Sequence, residues 1–171
     1  MLFRSLASAA VALDPAQIRG VLPLPLAQLR SAFPVLGNPF NYKKAIAQTP
    51  KQFYFGFGNT LSEQESNALH ARYHIPAPGK PLFEAALANF FPNTPAKVNT
   101  KATRGPLLIT GGGKDHTVPE VVSRSAYKLY RKSPSVTDYQ VFPDRGHSLT
   151  VDSGWKEVAN ASLTWLRSKG M

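Results

Sequence analysis

Gly105-Pro106-Leu107-Leu108-Ile109-Thr110-Gly111-Gly112-Gly113-Lys114-Asp115-His116-Thr117-Val118-Pro119 decides how this chain folds. Leu107 to Thr110 is a continuous uncharged run, the pattern of a strand buried on both faces. Three glycines then permit a tight exit from the strand into a loop that carries Asp115. Val118-Pro119 opens a helix that runs to about Arg131 and is broken by Ser133-Pro134. Thr137 to Phe142 is the next strand, Pro143-Asp144-Arg145-Gly146 is a turn, and His147 follows in the loop. Gly154 to Ser168 is a final helix, with Trp155, Val158, Leu163, Trp165 and Leu166 as its apolar contacts. Strand, helix, strand, helix predicts an α/β fold with parallel strands joined by right-handed crossovers.

In open parallel sheets, functional groups sit beyond the carboxyl ends of the strands. Asp115 follows one strand and His147 the next, so neighbouring strands would bring both side chains together above the sheet edge. A carboxylate bonded to one imidazole nitrogen fixes the tautomer and stabilises the imidazolium, which leaves the other nitrogen to take a proton from a nucleophile. Gly146 allows the turn that aims the His147 ring. Asp115 and His147 are therefore the candidate catalytic pair. Asp14 also follows a strand and is the alternative acid. His116 adjoins Asp115, but neighbouring side chains diverge, so it reads as a polar loop residue.

The nucleophile is harder to find. A G-x-S-x-G elbow, in which a strained strand-to-helix turn exposes the serine, occurs nowhere in the 171 residues. Ser148, Ser153, Ser123 and Ser125 lack that context. A metal site from His70, His74, His116 and His147 is not expected. His70 and His74 have helical i, i+4 spacing, but no Glu lies between them and the helix is near its end. No redox, nucleotide or metal cofactor is expected.

Upstream, Ala9 to Leu13 is a short apolar run stopped by Asp14-Pro15, and reads as a strand. Met1 to Leu13 also loosely suits a short signal or transit peptide, having one Arg, two Ser and no acid. The strand reading is preferred, and with it a soluble, cytoplasmic protein. From Gly20 to about Thr100 the chain is rich in Pro and aromatics, with short helical patterns. Leu26, Leu29 and Phe33 recur at helical spacing. Ser62-Glu63-Gln64-Glu65 is a capping box that starts a helix to about Tyr73. Pro81 opens another helix, to about Asn89. These pieces read as a cap over the rest. The aromatic stretch Gln52-Phe53-Tyr54-Phe55-Gly56-Phe57-Gly58 is either its packing face or the lining of an apolar pocket.

Composition narrows the function classes. Cys is absent, which removes disulfides and thiolate chemistry. The net charge is +10, but the basic residues are spread from Arg4 to Lys169 rather than gathered. The one stripe, Arg124, Lys128 and Arg131 with Lys132 beside it, reads as a solvated helix face. Nucleic acid is therefore not an expected partner. No run of eighteen apolar residues exists, so no membrane span is expected.

These segments resemble the C-terminal portion of an α/β hydrolase. The resemblance is to capped, esterase- or lipase-like members, through Val11-Ala12-Leu13-Asp14-Pro15-Ala16, Gly20-Val21-Leu22-Pro23-Leu24-Pro25, and Gly146-His147-Ser148-Leu149-Thr150-Val151-Asp152-Ser153-Gly154-Trp155. It covers nearly all of this chain but only about the second half of the family's fold. It implies a partial α/β-hydrolase fold in one domain spanning 1–171. That fold has about three parallel strands, the family's strands six to eight, with flanking helices, a cap insertion over about 21–100, and an acid/base segment over about 105–171. It further implies that Asp115 matches the family's acid and His147 its base, with nothing matching its strands one to five, nucleophile or oxyanion-hole loop. The implied function is hydrolysis of a small apolar ester by a completed protein, with this chain inactive alone. The alternative is a degenerate, non-catalytic remnant that binds an apolar ligand or a partner protein. With strand five missing, strand six would be a bare edge, open to self-association or to pairing with another chain.

Overall fold

The computed structural model describes residues 7–171. The targeting-peptide reading of Met1 to Leu13 falls in part on residues 1–6, outside the described residues. Strand β1 (Ala10–Ala12) is followed by helices α1 (Leu26–Leu36), α2 (Pro50–Gly56), α3 (Glu63–Tyr73) and α4 (Lys80–Ala86). Two very short strands, β2 (Ala45–Ile46) and β3 (Ala77–Pro78), pair antiparallel within this stretch. Then come β4 (Leu107–Gly112), α5 (Glu120–Tyr130), β5 (Thr137–Phe142) and α6 (Trp155–Ser168). The alternating C-terminal elements and the short β1 form a three-stranded sheet in the order β1-β4-β5. Both pairings are parallel, as the sequence pattern predicts.

Strand β4 lies between the other two, and all six of its residues are buried. Its register sets Gly112 beside Phe142, so β4 and β5 end together, while β1 ends beside Ile109 and the chain after it reaches Thr110 and Gly112 through Asp14. Side chains alternate along β5. Thr137 and Tyr139 turn to α5: the Thr137 hydroxyl donates to the Tyr130 carbonyl, and Tyr139 reaches Ser123 at 2.8 Å. Asp138 and Phe142 turn to α6: Asp138 accepts from the Trp165 indole at 2.7 Å, and Phe142 packs with Val158 and Leu149. Helices α5 and α6 thus cover opposite faces. A second apolar cluster, Val21, Val118, Val122 and Ala126, seals α5 against the chain leaving β1.

Local signals hold in part. Ser62 caps α3, its hydroxyl accepting from the Glu65 amide at 3.1 Å. The expected reciprocal bond is absent, because the Glu65 carboxylate turns instead to the Ser153 amide, 2.7 Å away. The complete capping box is at Thr49 and Gln52, at the start of α2. The glycines that end and follow β4 also act differently from expectation, since Gly111 and Gly112 are still part of the strand. Gly111, Gly112, Gly113 and Gly146 all have ordinary negative φ. Their use is space: a Cβ on Gly112 would stand 2.8 Å from the Arg145 and Gly146 carbonyl oxygens. Of the apolar residues expected to pack on α6, Val158 is buried, whereas Trp155 and Leu163 are about half exposed. On α1 the expected apolar face, Leu26, Leu29 and Phe33, points outward.

No helix among the described residues is long and apolar enough to cross a membrane. The fold rests on β4, so Leu108→Ala is expected to cost about 2–5 kcal/mol in urea unfolding, through lost burial and the cavity left behind.

Candidate active site

Three parallel strands end at one edge of the sheet, and each delivers one ionisable side chain there. Asp14 follows β1, Asp115 follows β4, and His147 follows β5. Donor atoms of all three lie within 4.8 Å of one another. Asp14 and Asp115 are buried, at 6% and 3% exposure.

Asp115 is held from both sides. Its Oδ1 accepts from the Thr117 and Val118 amides, at 2.6 and 2.8 Å, as the chain turns into α5. Its Oδ2 is 2.7 Å from His147 Nδ1. A carboxylate only accepts, so in the neutral ring Nδ1 carries the proton and Nε2 is the basic nitrogen. Among the described residues nothing bonds to Nε2. The expected pair is therefore in contact, with the tautomer that a general base needs.

The loop that carries His147 is braced behind the ring. Arg145 donates to the Gly154 carbonyl at 2.8 Å, ion-pairs with buried Asp152, and reaches Glu157 at 3.0 Å. One guanidinium thus ties the turn before His147 to the start of α6. Sequence reading missed this brace, since Arg145 and Asp152 stand in an irregular loop with no periodicity to mark them.

A second brace comes from the inserted helices. Helix α2 ends beside the pair, and its last carbonyls lack intrahelical partners. They are taken in turn by residues next to the two site side chains. Phe55 O is 2.9 Å from His116 Nδ1, Gly56 O accepts from the Thr117 hydroxyl at 2.8 Å, and Phe57 O accepts from the Ser148 hydroxyl at 2.7 Å. His116 is thus a polar loop residue, as expected, and its ring also stacks on Phe55. The Phe57 ring meets His147 edge-on, with centroids 4.9 Å apart. Asn59 and Thr60 add bonds to the Lys114 carbonyl and the Gly146 amide.

A cavity of about 370 Å³ opens here. Phe53, Phe57 and Tyr73 line one side, and Leu13, Asp14, His147 and residues 148–151 the other. The aromatic stretch therefore both packs and lines.

Of the four serines weighed as nucleophiles, three have hydroxyls engaged elsewhere. Ser148 bonds to Phe57, Ser123 to Glu120 and Tyr139, and Ser125 to Val121. Ser153 contributes its backbone amide to Glu65. The four histidines are not gathered. His70 and His74 stack and clasp one peptide, His70 Nε2 donating to the Gln48 carbonyl and His74 Nε2 accepting from the Gln48 amide. Asp14, Asp115 and His147 are the group among the described residues able to share a cation. Asp115 and His147 already bond to each other, however.

No family model matches the chain, and no curated protein matches it in sequence. Its structure is similar to a thermophilic esterase from Thermogutta terrifontis, with a TM-score of 0.56 and 17% identity over 96% of this chain. It also aligns with Rv0554 from Mycobacterium tuberculosis, at a TM-score of 0.49 and 16% identity over 95% of this chain and 56% of that one. This chain spans 57% of the esterase's length. The likeness to the esterase is one of fold.

Asp152→Ala is expected to cost about 3 kcal/mol in urea unfolding, because the Arg145 guanidinium loses its buried partner. Asp115→Asn is expected to abolish the deshielded Nδ1 proton signal of His147 in a proton NMR spectrum, while the fold is retained.

Proposed function

We propose that this chain is the acid- and base-bearing part of an α/β-fold serine hydrolase that cleaves a small apolar ester or similar acyl substrate. The nucleophilic serine and the oxyanion donors would come from residues beyond these 171. The observation that carries this reading is the 2.7 Å bond from His147 Nδ1 to Asp115, made past the strand ends beside an apolar cavity. The similarity to an esterase supports the fold, and the chemistry rests on the site.

In this mechanism His147 Nε2 takes the proton of the serine hydroxyl as its oxygen attacks the acyl carbon. Asp115 keeps the ring in place and stabilises the imidazolium. His147 returns the proton to the leaving alkoxide, and water repeats the sequence to free the acid. Phe53, Phe57 and Tyr73 would contact the apolar part of the substrate. The helices over about 21–100 serve as its lid, and residues from about 105 to 171 form the acid/base segment.

A second reading, a remnant that binds an apolar ligand or a partner, draws on two observations. Leu22, Leu26, Phe33 and Phe40 are each at least 70% exposed, and β1 pairs on one side only among the described residues. In the hydrolase reading that open edge receives a further strand of the same protein.

Purified as these 171 residues, the chain is expected to give no turnover of a short nitrophenyl ester. Turnover that His147→Ala abolishes would reveal an internal nucleophile and overturn the reading. In its source, the native protein traced through the peptide from Ser133 to Arg145 is expected to be much heavier than 18.7 kDa. A native mass of 18.7 kDa would favour the remnant. In the heavier protein, Asp115→Asn is expected to lower kcat on the order of 10⁴-fold.

A further inference from the structure

Asp14 has no part in the mechanism above, yet its geometry is unusual. It is a non-glycine residue at φ +39°, in the left-handed region, and it precedes a proline, which restricts its backbone further. Two contacts hold it there. Its amide donates to Thr110 Oγ1 at 3.3 Å, and its Oδ1 accepts from the Gly112 amide at 2.9 Å. Its Oδ2 is buried, and among the described residues no donor reaches it. No cation pairs with Asp14 among those residues either. Its charged neighbour is another carboxylate, Asp115.

An ionised carboxylate in this position would be desolvated, half unpaired and beside a like charge. A proton removes all three penalties. We propose that Asp14 is a neutral carboxylic acid at neutral pH, and that its Oδ2–H group donates to the Asp115 carboxylate and positions it for His147. Asp115 then collects hydrogen bonds from four groups: the Thr117 and Val118 amides, His147 Nδ1–H and Asp14. Asp14 acts through Asp115 and is a positioning residue. A cation bound by the trio would have to disrupt the existing His147–Asp115 bond, whereas a proton on Asp14 leaves it intact.

Burial, followed by the charge of Asp115, raises the Asp14 carboxyl from 3.8 to about 8. The other titratable groups that face it are His147, from the loop after β5, and Tyr73 of α3, across the cavity. Stability should change with pH accordingly. Unfolded Asp14 releases its proton near 3.8, while folded Asp14 keeps it to about 8. Between those values the folded state holds more protons than the unfolded state, so stability falls as pH rises through that window. Above about 8 the loss is complete.

The test uses this chain and needs no ester turnover, so it is independent of the hydrolase reading. In carbon-13 NMR, one Asp carboxyl is expected to titrate near pH 8 and to be missing in Asp14→Asn. The His147 ring signals are expected to show a step at the same pH, also lost in Asp14→Asn. Thermal midpoints add a check, since the carboxamide mimics the protonated acid. The wild-type midpoint is expected to fall relative to Asp14→Asn between pH 5 and 8. An Asp14 carboxyl that titrates below pH 5, or a midpoint difference independent of pH, would overturn the proposal. The wild-type titration stands alone should the variant fail to fold.

Discussion

Enclosure of β4 organises everything else. Leu107 to Gly112 has a parallel strand on each side and no exposed residue. A strand buried on both faces and both edges has little freedom in register, since any slip would carry apolar groups out of the core. Fixing that register fixes where the chain emerges. It emerges at Gly113, between the exit of β1 and the exit of β5. Three side chains distant in sequence then meet because the hydrogen-bond ladder of one strand ends there.

Much of this was legible in the sequence, for physical reasons that differ by element. Strands β4 and β5 and helices α3, α5 and α6 announce themselves through periodicity and through Ser, Pro and Gly punctuation. Their bounds follow within a residue or two. Asp115 and His147 were legible because each follows such a strand directly. Where one side chain had two uses, the sequence was less clear. Glu65 matches a capping box, but a loop nearly ninety residues away competes for its carboxylate and wins. The apolar stripe of α1 is real, yet it faces outward, because periodicity says which residues share a face and not what lies opposite.

Asp14 shows a different limit. Its position after β1 was legible, and so was its rank as an alternative acid. Its protonation was not, since that depends on Gly112, Thr110 and Asp115, about a hundred positions away. The overall +10 charge offers no guide. The basic residues are dispersed and often locally engaged, as with Arg124, which pairs with Glu120 and lies over Tyr139. A protein rich in positive charge thus encloses two carboxylates at this site, and among the described residues no cation pairs with Asp14. What governs such a site is the few ångströms around it, where burial and one like charge outweigh the distant field.

The end of α2 carries a last implication. Phe55, Gly56 and Phe57 present successive carbonyls to His116, Thr117 and Ser148, so the helix grips the chain beside both members of the pair. Lifting α2 would strip three acceptors at once from the loops that hold Asp115 and His147. Those donors would turn to water or to each other, and the ring would lose its edge contact with Phe57. The seating of α2 and the ordering of the loops that carry the pair are therefore coupled, because the same three hydrogen bonds serve both.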